Sequence, residues 1–303
     1  MIFKNNNKIA NIYRGTLKVS NVYRGGILVY TGEQPITYDG LTFEALEPST
    51  IKYTPSTVST AQYSYDTVNW ETADNVTLNL NKGKKVFFKG NITGNQSFSN
   101  YAHFSMSGKV AASGSIMSMQ NGNPKDNTFN YNYEFYSMFS LCTSLVTSPS
   151  LPATTLKESC YENMFADCTS LVTEPELPST TLAAYCYSTM FQNCSKLVNS
   201  PTLPANTLTD GCYWRMFAGC TSLVTAPELL ATTLLEDCYV SMFEDCSKIN
   251  YIKALFTTTP DLTYTQDWVS GVASTGTFVK NKDATWDVTG NDGIPSGWTV
   301  ETA

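Results

Sequence analysis

Cysteine offers the most chemistry in this sequence, because nine of the 303 residues are cysteines at regular spacing. A zinc site needs ligand pairs two to four residues apart. The shortest separation here is eight residues, as between Cys160 and Cys168. Disulfide bonds are geometrically possible between stacked repeats. An odd number of cysteines in regular columns nevertheless favours reduced thiols that pack as small apolar groups. We predict a structural cysteine ladder of Cys142, Cys160, Cys168, Cys186, Cys194, Cys212, Cys220, Cys238 and Cys246.

The chain has few residues that are suited to acid–base or nucleophilic catalysis. His103 is the only histidine, and its alternating apolar segment is typical of a strand-face or core position. Paired carboxylates recur at Glu158/Glu162, Glu174/Glu176 and Glu236/Asp237. This pattern is typical of a solvated repeat face, whereas glycoside hydrolysis would need two carboxylates in a cleft. We therefore expect a protein that is not an enzyme and that has no catalytic residues and no cofactor.

An acidic segment near the end of the sequence contains Asp283, Asp287, Asn291 and Asp292. A calcium loop needs a denser series of oxygen ligands that ends in an acidic residue. These residues are instead typical of turns. We expect no metal site.

A strict internal repeat must position the cysteines. The dipeptide Met-Phe recurs every 26 residues, with a Cys three residues after each Phe and a branched aliphatic residue three further on. A Pro, a Thr-Leu pair and a Cys-Tyr pair complete most copies. The five dipeptides are Met138-Phe139, Met164-Phe165, Met190-Phe191, Met216-Phe217 and Met242-Phe243.

This repeat predicts a solenoid of five coils over residues 123–250, because one coil cannot bury its own apolar residues and stacked coils can. Apolar residues at i, i+4, i+5 and i+8 of Cys-Tyr-x-x-Met-Phe-x-x-Cys favour a short helical turn. The Leu-Val segment favours a short strand. The ends of the array are atypical, with Glu134 at a Cys position and Leu230 at a Pro position. We expect residues 250–256 to cover the last coil and residues 251–303 to form a C-terminal β cap.

The coil Met-Phe-x-x-Cys-Thr-Ser-Leu-Val-x-x-Pro-x-Leu-Pro-Ala-x-Thr-Leu-x-x-x-Cys-Tyr resembles the BspA-like leucine-rich repeats of Bacteroidales surface proteins and of the phages that infect them. The coil departs from the ordinary leucine-rich pattern, since Pro precedes the third Leu and Cys-Tyr replaces the usual Asn turn. Residues 271–300 resemble the closing segment often seen after such repeats. The resemblance implies a leucine-rich repeat fold on an outward-facing protein.

The first 36 residues contain a second repeat. Residues 8–15 recur as residues 18–25, and a truncated copy follows at 27–30, which predicts a meander of three short strands. So short a segment buries too little surface to fold alone, and we expect it to assemble with copies of itself, as a homotrimer, or on a larger partner. Its Tyr-Arg-Gly copies resemble attachment segments of phage virion proteins, which implies a capsid or tail partner. The candidate virion-attachment residues are Tyr13, Arg14, Tyr23 and Arg24.

Residues 37–122 read as strands separated by polar turns and resemble an immunoglobulin-like β-sandwich. The strand-like segments are 41–43, 63–65, 76–80, 85–88, 102–106 and 115–119. The predicted fold class is mainly β with short helical turns.

Charge and hydropathy limit the partners. The net charge is −7, and residues 138–250 carry four basic and eleven acidic residues, which argues against nucleic acid. No apolar run approaches the ~20 residues that span a bilayer, so we expect no membrane insertion. The first residues lack the apolar core of an export signal.

These observations lead to one main functional hypothesis, a non-enzymatic head or tail fibre of a crAss-like phage. It would assemble in the host cytoplasm and be located in the virion. The alternatives are a BspA-like adhesin on the bacterial surface and a glycan-active enzyme. Candidate display-face aromatics for a host protein or glycan are Tyr185, Trp214 and Tyr251, which could equally cover neighbouring coils.

Overall fold

The computed structural model describes residues 12–14, 17–19, 21–24, 27–31 and 37–303. These residues are mainly β, with sixteen strands in several sheets and two helices of one turn each. The chain divides into two compact units, Met1–Tyr38 and Asp39–Ala303. The predicted boundaries at residues 122 and 250 lie inside the second unit and stay predictions. Within the described ranges, no helix is both long and apolar enough to cross a lipid bilayer.

The first unit contains two antiparallel hairpins. β1 (Ile12–Arg14) pairs with β2 (Leu17–Val19), and β3 (Asn21–Arg24) pairs with β4 (Ile27–Thr31). The prediction of a single three-stranded meander is therefore wrong for the described strands, because each ten-residue period contributes two short strands that pair with each other. Tyr13 and Arg14 end the first strand of one hairpin, and Tyr23 and Arg24 end the first strand of the other. The duplication in sequence is thus also a duplication of structure.

The second unit begins with two sheets. The larger has the strand order β13-β12-β5-β10-β7-β8 and the smaller has the order β11-β6-β9. Their strands are β5 (Thr42–Ala45), β6 (Ser49–Thr54), β7 (Ser59–Ser64), β8 (Glu71–Thr72), β9 (Thr77–Leu80), β10 (Lys85–Ile92), β11 (His103–Ser107), β12 (Val110–Ser113) and β13 (Leu145–Thr147). Alternate residues of β6 are buried, as the two-residue period of a strand requires. β13 belongs to the first repeat and pairs in parallel with β12, so the larger sheet extends into the repeats.

Side chains of the two sheets meet in an aromatic core. Phe43 of β5 and Phe88 of β10 approach Phe104 of β11, with ring centroids 5.0 and 5.1 Å apart. Phe104 also stacks on Phe139, the Phe of the first Met-Phe pair, at 5.5 Å. One apolar core therefore connects the sheets to the repeats.

Five of the six predicted strand-like segments overlap observed strands, and the segment 115–119 does not. It leads instead into α1 (Ser118–Asn121). The Ser118 hydroxyl accepts from the Leu41 N–H and donates to the Phe88 carbonyl, which fixes the helix to β10. Ile116, Met117 and Met119 are all buried, so both faces of this segment are covered and strand alternation does not apply.

Equivalent residues of successive repeats lie over one another. Every Met-Phe pair is fully buried. The Phe rings form a column with centroids 5.5–5.9 Å apart and nearly parallel planes. The Tyr rings of the Cys-Tyr pairs form a second column at 6.0–6.1 Å. The members of the columns are Phe139, Phe165, Phe191, Phe217 and Phe243, and Tyr161, Tyr187, Tyr213 and Tyr239.

The segment between the two cysteines of a repeat is a series of turns, and the predicted helical turn is wrong. Along residues 159–168, the backbone N–H groups alternate between two kinds of acceptor. Every second N–H donates to the carbonyl three residues earlier, as Cys160 does to Lys157. The others donate to carbonyls of the next repeat, as Tyr161 does to Cys186 at 3.1 Å. Ser159, Asn163 and Asp167 have positive φ. An α-helix satisfies its N–H groups internally, whereas this segment uses half of them to join two repeats.

The thiols of one cysteine column also join repeats. Cys168 Sγ donates to the Phe139 carbonyl of the preceding repeat at 3.1 Å. Cys194, Cys220 and Cys246 make the same bond at 3.0–3.1 Å, and Cys142 donates to the Phe104 carbonyl of β11 at 3.2 Å. The predicted cysteine ladder therefore contains hydrogen-bonding donors as well as apolar groups.

The C-terminal segment continues the columns with tryptophans. β14 (Tyr251–Ala254), β15 (Thr277–Lys280) and β16 (Thr299–Thr302) form a parallel sheet, and α2 (Leu262–Thr265) lies between the first two strands in sequence. Trp268 is fully buried, with its ring centroid 6.2 Å from that of Tyr239 and 6.3 Å from that of Phe243. The apolar strand expected within residues 250–256 is β14.

Candidate functional site

The nine cysteines are placed where they cannot react. All are free and buried. Burial raises the pKa of the Cys142 thiol to about 12, and it raises the pKa of every other thiol in the ladder, Cys194 and Cys220 included. A thiol in this state is neutral and inaccessible at physiological pH. Within the described ranges, no three His, Cys, Asp or Glu side chains are grouped so that they could hold a metal ion.

The turn segments carry a distinct surface, which we call the aromatic–acid face and define by Tyr133, Tyr136, Glu158, Glu162, Tyr185 and Trp214. Its residues occupy three positions of the 26-residue repeat, of which two are adjacent and the third follows three residues later. One position is Asn132, Glu158, Ala184, Asp210 and Glu236 in successive repeats. The next is Tyr133, Ser159, Tyr185, Gly211 and Asp237, and the third is Tyr136, Glu162, Ser188, Trp214 and Val240. Backbone bonds such as Tyr133 N–H to Glu158 C=O hold these positions in register.

A cluster of aromatic rings lies at one end of this face. The Phe98 ring centroid is 5.0 Å from that of Tyr133 and 5.3 Å from that of Tyr136, both edge-to-face. Tyr101 adds a third such contact, 5.2 Å from Tyr136. Phe98 remains 60% exposed despite these contacts. A large apolar ring that is held in place and yet open to solvent is a candidate for ligand contact.

Polar groups follow the aromatic cluster along the face. The buried Ser159 hydroxyl lies near the Tyr133 phenol and the Glu162 carboxylate and lowers the pKa of both, but within the described residues it has no hydrogen-bond partner of its own. Glu162 Oε2 and the Ser188 hydroxyl are both buried and, among the described residues, have no hydrogen-bond partner. They occupy the same position in successive repeats, with Tyr136 one repeat before and Trp214 one repeat after. The third position therefore holds two unsatisfied polar groups between two aromatic side chains, of which Glu162 is partly exposed and Ser188 is fully buried.

The electrostatics of the face are acidic. Burial raises the pKa of the Glu162 carboxyl, and the neighbouring Glu158 raises it further. Burial also raises the pKa of Tyr185, with smaller contributions from Asp237, Asp210 and Glu236. Arg215 lies one residue after Trp214, and its guanidinium is paired with Glu244 at 2.8 Å. Excess negative charge therefore faces the solvent here.

The structure separates the three predicted display-face aromatics. Tyr185 and Trp214 lie on the aromatic–acid face, both partly exposed. The Tyr185 ring covers Gly211, where a Cβ would overlap it, so this ring packs on the next repeat as well as facing solvent. Tyr251 lies on β14, opposite Thr277, at a strand position of the repeat and 39% exposed. It does not belong to the same face.

The remaining sequence candidates have structural roles. His103 on β11 is half-buried, and burial lowers its pKa. Asp292 accepts from the Asp267 N–H at 2.7 Å, which stabilises a turn, and Asp283 pairs with the adjacent Lys282. A separate shallow groove of about 450 Å³ lies where Leu230 replaces proline, and its lining includes Pro201, Pro204 and Pro227.

Sequence reasoning missed Phe98, Tyr101, Tyr133 and Tyr136. A signal was present, because Tyr133 and Tyr136 occupy the same repeat positions as Tyr185 and Trp214. Phe98 and Tyr101 belong to no repeat, and only the folded chain brings them to this face.

Comparison with protein families, with characterised proteins and with solved structures finds no match for this chain.

Proposed function

We propose that this chain is a non-enzymatic attachment and display protein of a phage virion, in which the repeats form a BspA-like leucine-rich solenoid of five coils. In this proposal, residues 37–122 are an immunoglobulin-like spacer and residues 251–303 are the C-terminal cap. The stacked columns of Phe, Tyr and buried Cys support the solenoid interpretation, because they join each repeat to its neighbours only.

The observation that best supports the display function is which side chains are buried in the core and which are exposed at the surface. The nine thiols are buried, whereas the aromatic–acid face exposes rings and carboxylates side by side. Such a surface suits recognition of a ligand by contact and hydrogen bonding. The phage assignment itself rests on the sequence resemblance of the repeats and of the Tyr-Arg-Gly copies.

Mass spectrometry of purified virions tests the assignment. We expect peptides of this chain in particles from a Bacteroidales phage that encodes it, and surface labelling of intact particles should modify residues of the repeats. Absence of the chain from purified particles overturns the phage proposal, and its recovery instead from washed bacterial surfaces would favour the adhesin alternative.

The attachment role of residues 1–36 makes a separate claim, that the chain assembles as a homotrimer and docks on a capsid or tail protein. The paired hairpins support it, because two-stranded sheets are marginal in isolation and need a partner surface. Light scattering after size-exclusion chromatography should give three chains for residues 1–303 and one chain for residues 37–303. A monomer in both cases contradicts the claim.

A further inference from the structure

We infer that the aromatic–acid face binds a neutral saccharide chain, with the Phe98, Tyr133 and Tyr136 rings as its main contact. This inference rests on the proposed display function and names its ligand class. It depends on a feature that the display proposal does not require, namely that exposed aromatic rings lie beside hydrogen-bond acceptors.

The apolar part of the argument concerns the rings. A pyranose ring has one face of C–H groups that packs against an aromatic ring, and its edge carries hydroxyls. Phe98 is 60% exposed at one end of the face, and its contacts with Tyr133 and Tyr136 hold it in place without a ligand. Little conformational entropy is therefore lost when a flat ligand packs on it.

The polar part concerns the acceptors that follow. Glu162 Oε2 and the Ser188 hydroxyl have no hydrogen-bond partner within the described part of the chain, and both atoms are buried. Leaving such groups unpaired is unfavourable. A saccharide hydroxyl donates to a carboxylate. Glu162 is partly exposed, so a ligand can reach its carboxylate, whereas Ser188 is fully buried and cannot contact one.

The charge of the face selects the class of saccharide. Glu158, Glu162, Asp210 and Glu236 lie along it, and the nearby Arg215 is already paired with Glu244. A uronate, sialate or sulfate group would meet this excess of negative charge. A neutral hexose polymer avoids this repulsion and supplies the donors that the carboxylates need.

Affinity electrophoresis of the full chain tests the inference. Native gels would contain amylopectin, laminarin or yeast α-mannan, with polygalacturonate and heparin as acidic counterparts. We expect slower migration in at least one neutral gel and in neither acidic gel. Phe98→Ala should weaken this retardation about tenfold, as a loss of about 1.4 kcal/mol implies, and Glu162→Gln should weaken it about threefold.

Matched controls lie elsewhere on the surface. Tyr65 is 49% exposed and packs edge-on against Tyr63, far along the sequence from the repeats, so Tyr65→Ala should migrate as the unchanged chain does. Glu176→Gln removes an exposed charge away from the face. Thermal unfolding of Tyr65→Ala and Glu176→Gln should match the parent, because both side chains are exposed. The same measurement on Phe98→Ala and Glu162→Gln shows that these variants are folded under the conditions of the gel.

Three results overturn the inference: no retardation in any neutral gel, stronger retardation in an acidic gel, or retardation that Phe98→Ala and Glu162→Gln leave unchanged. A face that binds a protein instead would produce the first result. If the virion experiment finds the chain in particles while the gels show no binding, the saccharide inference fails and the display function stands.

Discussion

At the scale of single residues, the most unusual group is the carboxyl of Glu134, which occupies a cysteine position of the repeat. It is fully buried. Its Oε2 accepts from the N–H groups of Asn130 and Tyr131, each at 3.0 Å. Among the described residues its Oε1 has no hydrogen-bond partner, and the neighbouring Gln120 Oε1 also lacks a donor. A proton on Glu134 would supply the donor that both oxygens lack.

The first prediction follows from this environment. Burial raises the pKa of Glu134 from its ordinary 4.5 to about 7, a shift that the two backbone N–H groups and Gln120 oppose and that the charge of Asp126 increases. Because the folded chain holds the proton more tightly than the unfolded chain, its contribution to the free energy of unfolding is complete below pH 4.5. That contribution falls through the interval up to about pH 7, by about 3 kcal/mol.

Chemical denaturation at several pH values measures this loss. Glu134→Gln keeps the size of the side chain and supplies a donor for Gln120. It should equal the parent near pH 4 and exceed it by about 3 kcal/mol above pH 7. Two stability curves that run in parallel across this range would show that Glu134 is ionised in the folded chain.

A second prediction concerns Gly211, which lies under the Tyr185 ring. Non-glycine residues at the same repeat position, such as Ser159 and Tyr185, also have positive φ, so the ring explains the glycine better than the backbone does. Gly211→Ala should cost about 1–3 kcal/mol through overlap with the ring. In the double variant with Tyr185→Ala, most of this cost should disappear, and a double-mutant cycle of unfolding free energies measures it. If the costs of the two single substitutions are strictly additive, the cost of Gly211→Ala arises in the backbone and not from contact with the ring.

At the scale of elements, the turn segment and the strands show what sequence patterns can and cannot predict. The 26-residue period correctly predicted which side chains are buried, since Met, Phe, Cys and Leu at matching positions are inaccessible in every repeat. Apolar spacing at i, i+4, i+5 and i+8 also fits a helix, so it could not reveal the series of turns. A helix and this series of turns differ in the acceptors of alternate N–H groups, and in the turns those acceptors lie in the next repeat.

The candidate site shows the same limit. Tyr185 and Trp214 were predicted from sequence as display aromatics, and their repeat positions also indicate Tyr133 and Tyr136. Phe98 joins them from the loop after β10, a contact between residues far apart in sequence that no local pattern encodes.

The third prediction belongs to the cysteine columns. Because every thiol is buried with a raised pKa, none should react with Ellman's reagent while the chain is folded. Absorbance should report nine thiols in guanidinium and none in buffer, and slow labelling in buffer should proceed at the unfolding rate. Rapid modification of any thiol in buffer would contradict the burial of the columns.

At the scale of the whole molecule, the repeats and the two sheets share one core through Phe104 and Phe139. The columns then continue to Trp268 without interruption. Stability is therefore expected to depend on correct register between neighbouring repeats more than on any single repeat.

The fourth prediction tests that register. Deletion of residues 172–197 removes one complete period and joins Leu171 to Val198, which restores the Leu-Val sequence of an intact repeat. We expect a folded chain with a lower melting temperature, because one set of stacked rings and inter-repeat hydrogen bonds is lost. Deletion of residues 173–197 is one residue shorter and misaligns every later column, so it should abolish cooperative unfolding in a calorimeter. Equal behaviour of the two deletions would contradict column register as the source of stability.

The direction of the bonds between repeats has a mechanical consequence. Alternate N–H groups of each turn segment point to the carbonyls of the next repeat, so tension that separates the two ends of the array loads these bonds along their own axes. Bonds loaded in this way break in small groups. Under load, the array should extend in steps, each releasing the 26 residues of one period, or about 90 Å of extended chain. A tether with this response would lengthen and dissipate energy before the contact at either end gave way.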